Sequence, residues 1–142
     1  MPSDLKDEFP NLKSTAYRET SPRTNEYNCI AWAAEEDDRW WSPTQDAYYW
    51  PDGVPAEWTI DAVVLVFESL GFELCDSAEL EAGLQKVAIY QGNDGDPTHA
   101  ARQLPDGKWT SKLGDWEDIE HTLAGIEGEK YGSVCQIMKR SR

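Results

Sequence analysis

Two residues of this chain have the types and settings that nucleophilic chemistry needs. Cys29 lies in Tyr27-Asn28-Cys29-Ile30-Ala31-Trp32-Ala33-Ala34, where a polar capping residue runs into an apolar, helix-forming stretch. His99 opens Thr98-His99-Ala100-Ala101-Arg102-Gln103-Leu104, which reads as a strand. A cysteine attacks as its thiolate, and the first turn of a helix is one of the few places that stabilise that charge. If Asn28 caps the helix, Cys29 falls in that first turn, and unpaired backbone N–H groups around the sulfur could hold an oxyanion. His99 would deprotonate the thiol and later protonate the leaving group. Both roles require the strand to lie against the helix end.

With these stretches in this order, the chain resembles the papain-like superfamily, and in layout the NlpC-type cysteine peptidases. The resemblance runs from about residue 25 to residue 113. It implies a nucleophile at the start of a buried helix, a histidine at the start of a strand, and a third polar residue on the next strand that orients the imidazole. The return strand here is Lys108-Trp109-Thr110-Ser111-Lys112, and counting along the family's hairpin puts that third residue at Ser111. The family carries an acidic residue before its cysteine and Ser-Gly after it, where this chain has Asn28 and Ile30-Ala31. The chain also resembles a group of short, uncharacterised bacterial proteins that share the Asn-Cys-Ile-Ala-Trp-Ala and Thr-His-Ala-Ala-Arg-Gln-Leu stretches.

The other reactive residue types read as structural. Cys75 and Cys135 sit in apolar contexts and are expected to pack rather than react. His121 follows Asp118 at helical spacing, which suggests a surface pair on a short helix and makes it a distant second candidate base. Asn93-Asp94-Gly95-Asp96 lacks the rest of a calcium loop and reads as a turn. No Cys/His spacing suggests zinc, and there is no glycine-rich phosphate loop, so neither a metal nor a cofactor is expected. The aromatic cluster Trp40-Trp41 with Tyr48-Tyr49-Trp50 is expected to pack a long loop onto the core, or else to rim a cleft.

The elements that must position Cys29 and His99 follow from periodicity. Asn28 caps a helix from Cys29 to about Glu36 that is apolar nearly all round and therefore buried. Thr59 caps a second, with Ile60, Val63, Val64 and Phe67 on one stripe and Gly71 as its stop. Residues 86–90 read as a strand ending at an Asn-Asp-Gly turn. Residues 98–104 and 108–113 form a hairpin about Pro105-Asp106-Gly107. A short helix is expected over about Glu117 to Ala124, and a last strand over Val134 to Met138. The expected fold is therefore a single α+β domain over residues 1–142, with helices packed on a small antiparallel sheet, papain-like or NlpC-like. Residues 1–24 are expected to form an extended arm over the core.

Composition sets the outer bounds. The chain has 142 residues, 39% of them hydrophobic, enough for one core and too few for two. Its 27 acidic and 13 basic side chains give a formal charge of −14, which repels phosphate backbones and disfavours direct nucleic-acid binding, so no nucleic-acid partner is expected. No apolar run approaches the length that spans a bilayer, and the first ten residues carry no signal-type apolar segment, so a cytoplasmic, membrane-free location is expected. Three widely separated cysteines suit reduced thiols. Two functions compete. One is a cysteine hydrolase or transferase acting on an amide, peptide or ester bond, with a peptide or small amide as substrate. The other is a non-catalytic acidic interaction protein, of inhibitor or immunity type, that binds a basic partner.

Overall fold

The computed structural model describes residues 9, 11, 17–21, 27–35, 41–42, 49–51, 53–112, 118–128 and 131–141. The strands are β1 (Arg18–Ser21), β2 (Glu73–Cys75), β3 (Leu84–Gln91), β4 (Pro97–Gln103), β5 (Trp109–Lys112), β6 (Asp118–His121) and β7 (Ser133–Ser141). All pair antiparallel in one sheet of order β1-β6-β5-β4-β3-β7-β2. The α-helices among the described residues are α1 (Cys29–Ala33) and α2 (Ile60–Ser69), and Leu123–Ile126 makes one 3-10 turn. The expected α+β class, helices packed on a small antiparallel sheet in the papain-like or NlpC-like manner, is therefore corrected. The molecule is dominated by a sheet in which six strands have four residues or more, and only α2 among the described helices exceeds seven residues.

Each departure has a local cause. The first helix begins where expected, with the Asn28 side chain accepting from the Ala31 N–H at 3.2 Å, but it stops after five residues. Glu35 takes a left-handed φ of 67°. Its carboxylate is held by the Gln85 amide at 2.6 Å, with Arg102 and Arg140 at 3.7 and 3.9 Å. These contacts offset the cost of that backbone conformation. Glu36, the expected end, lies outside the described residues. The helix expected near Glu117 to Ala124 is instead strand β6 followed by the 3-10 turn. Ile119, Leu123 and Ile126 have helical offsets, but Ile119 and His121 alternate with Asp118 and Glu120 against β5 and β1. Most of the expected arm also lies outside the described residues. Phe9 within it is buried, and Arg18–Ser21 is an edge strand.

Other elements follow their sequence signals. Thr59 caps α2 through the Ala62 N–H at 3.1 Å. Gly71 ends it with a φ of 95°, letting the Gly71 and Phe72 amides bond back to Glu68 and Phe67. The hairpins β3–β4 and β4–β5 form at the two Gly turns.

The sheet has a core on each face, as alternation along a strand requires. One face gathers Val87, Ile89, Ala100 and Met138 against Ile30, Ala31 and Ala33 of α1 and Val63, Val66 and Phe67 of α2. The other gathers Ala88, Tyr90, Ala101, Trp109, Ile119 and Ile137 against Phe9, Ile126 and Tyr131. Trp41 is fully buried with Tyr49 edge-on at 4.7 Å, so this part of the aromatic loop packs onto the helix-bearing face. Trp40 and Tyr48 lie outside the described residues.

Candidate functional site

Cys29 is the first residue of α1, on the helix-bearing face of the sheet. Asn28 holds this helix start firmly. Besides capping, its side chain accepts from the Trp41 N–H at 3.2 Å and donates to the Trp41 carbonyl at 2.6 Å. Near the Cys29 sulfur are the backbone N–H groups of Ala100, Ile30 and Cys29 itself, and the Lys112 ammonium. All of these favour the thiolate. Burial outweighs them and pushes the thiol above its ordinary value. The depressed thiol pKa expected of a nucleophile is therefore not what this environment produces.

His99 is on β4 beside Ala100, so its side chain points to the opposite face. It pairs across the ladder with Tyr90, and its ring packs edge-on to Tyr90 at 5.4 Å. The Tyr131 ring stacks flat on it at 4.1 Å and 9°. Gly132 allows that close cover: its φ is 74°, and a Cβ there would lie 1.8 Å from the Gln91 carbonyl oxygen. Among the described residues neither nitrogen of His99 has a hydrogen-bond partner. Burial, reinforced by His121, holds its pKa well below the ordinary range, so the ring is neutral at pH 7.

Cys29 and His99 thus lie on opposite faces of the sheet, Cys29 on the side of Ala100 and His99 on the side of Tyr90 and Tyr131. The Cys29–His99 pair that the sequence suggests is not assembled. Ser111 does not orient His99 either. Its hydroxyl lies 2.6 Å from His121 Nε2, and His121 Nδ1 lies 2.7 Å from the Thr122 carbonyl. A carbonyl only accepts, so Nδ1 carries the proton and Nε2 accepts from Ser111. His121 is buried on β6, not on a helix surface, and its pKa falls to about 4 because burial disfavours its charged form.

Sequence reasoning missed the polar group on the Cys29 side of the sheet. Lys112 and Asp118, both fully buried, sit directly opposite each other on β5 and β6. The Tyr27 hydroxyl donates to Asp118 at 2.5 Å, and the Lys112 ammonium lies 5.3 Å from the Tyr27 ring centre. A Lys and an Asp in short strands carry no sequence mark of burial, so only the pairing across strands reveals them. Among the described residues no three His, Cys, Asp or Glu side chains group as metal ligands.

Comparison with known proteins adds one finding. Residues 18–139 match a family described as a domain of unknown function, DUF7689. The chain belongs to that family. No curated protein and no solved structure matches it, so the likeness to NlpC-type peptidases rests on its short motifs alone. Among the described residues no helix is long and apolar enough to cross a membrane.

Proposed function

We propose that this DUF7689 member is a non-catalytic, acidic interaction protein, of inhibitor or immunity type, whose partner is a basic protein. The observation that carries the reading is the placement of Cys29 and His99 on opposite faces of one sheet. A proton passing between them would have to cross the β4 backbone. The thiol's ionisation is opposed by burial, and among the described residues the imidazole nitrogens have no hydrogen-bond partner through which to act as its base. The formal charge of −14 then gives the class of partner, because an excess of that size attracts and steers basic surfaces.

The rival reading is a hydrolase working on a peptide or small amide through Cys29, His99 and Ser111. Alkylation kinetics separate the two. Iodoacetamide labelling of the native protein is followed by mass spectrometry from pH 6 to 9, in the wild type and in His99→Ala. Cys29 should label no faster than Cys75, and His99→Ala should leave its pH profile in place. Preferential labelling of Cys29 near pH 6 to 7 that moves upward in His99→Ala would restore the hydrolase.

A further inference from the structure

One end of the sheet is open where the start of β1, the β4–β5 turn and the end of β6 come together. A cavity of about 540 Å³ lies there, within the range typical of small-molecule sites. We propose that it binds a small, uncharged, planar aromatic molecule of one or two fused rings. Tyr17, Trp109, His121 and Leu123 are among the residues that line it. Cys29 is not among the residues that line it, so the inference stands apart from the thiol and from the interaction reading.

Three observations select the ligand class. Trp109 and Leu123 belong to the packed core on this face, so the wall is apolar and held in place, and flat rings favour a flat guest. His121 has both nitrogens committed, one to the Thr122 carbonyl and one to the Ser111 hydroxyl, so it adds no free hydrogen-bonding nitrogen to the lining. The charges at the rim cancel in pairs. Arg18 meets Glu120 at 2.6 Å, and Lys108 lies 3.8 Å from Asp106. An ionic ligand of either sign would have to compete with a charge already paired, and an anion would also meet the field of the whole molecule. An uncharged ring pays neither cost.

The test uses the full chain with indole as probe, benzoate and benzamidinium as charged counterparts, and titration calorimetry with saturation-transfer NMR as readouts. Indole should saturate with a dissociation constant of about 1 mM or tighter, and each ion should bind about tenfold more weakly. Leu123→Trp fills the cavity, and should weaken indole at least about tenfold, whereas Leu74→Ala on the distant β2 edge should not change it. Circular dichroism verifies the fold of each variant. If Leu123→Trp fails to fold, Tyr17→Ala replaces it, with several-fold weakening expected from loss of one wall. Failure of indole to saturate, binding that survives these variants unchanged, or tighter binding of either ion would overturn the proposal.

Discussion

His99 is the residue whose chemistry differs most from what its sequence setting suggests. Two buried nitrogens without partners among the described residues cost free energy that the stacking on Tyr131 and Tyr90 must offset. Replacing His99 with Phe keeps a flat ring in the same sandwich and removes both nitrogens. His99→Phe is therefore expected to raise stability at pH 7 by about 1 kcal/mol, measured by urea unfolding. The same histidines set an acid limit. His121 titrates near 4 in the fold, against about 6.5 in the unfolded chain, and His99 is shifted in the same direction. The unfolded state binds more protons, so the contribution of His121 is complete above about pH 6.5 and is lost as pH falls through about 4, and the contribution of His99 is lost in the same direction. For His121 alone the loss is on the order of 3 kcal/mol. His99→Phe should flatten the fall in stability below about pH 6.5. A variant destabilised by more than about 1 kcal/mol at pH 7, or one with an unchanged acid slope, would refute this account.

At the scale of elements, the two capping residues have unequal tasks. Thr59 bonds one α2 amide, and Thr59→Ala should cost about 1 kcal/mol, the ordinary price of a cap. Asn28 caps α1 and also holds both backbone groups of Trp41, a fully buried residue of the connecting loop. Asn28→Ala removes both of those hydrogen bonds together with the cap, and the loss should reach about 2 to 4 kcal/mol. Urea midpoints of the two variants compare them directly. Equal losses would mean that Trp41 is held by its packing and not by Asn28.

For the whole molecule, charge and burial act over the same pH range. The sequence isoelectric point is about 4.4, so acidification removes the net charge that keeps copies apart while the buried histidines lose their contribution to stability. Solubility of the wild type is expected to pass through a minimum near pH 4.4, with unfolding beginning at higher pH. Light scattering and circular dichroism on the same samples separate the two. His99→Phe should shift the unfolding and leave the solubility minimum in place, since one histidine alters the charge balance of 27 acidic groups very little.

Signals carried within a few residues were legible. Asn28 and Thr59 cap their helices, Gly71 ends α2, the turns at Asn93-Asp94-Gly95 and Pro105-Asp106-Gly107 join antiparallel strands, and Cys29 stands at a helix start. These depend on local backbone geometry and local hydrogen bonds, which residue type specifies directly. Strands β1 and β2 were not legible, because Arg18-Glu19-Thr20-Ser21 and Glu73-Leu74-Cys75 have no alternation strong enough to mark them, and pairing with β6 and β7 makes them strands. The order of residues along the chain brought Cys29 and His99 into one hypothesis, and Ser111 with them. Strand alternation decided otherwise: a side chain's face depends on the register of the ladder, and a shift of one residue carries it through the sheet. Tertiary structure alone therefore placed Ala100, not His99, under the Cys29 sulfur, and gave Ser111 to His121.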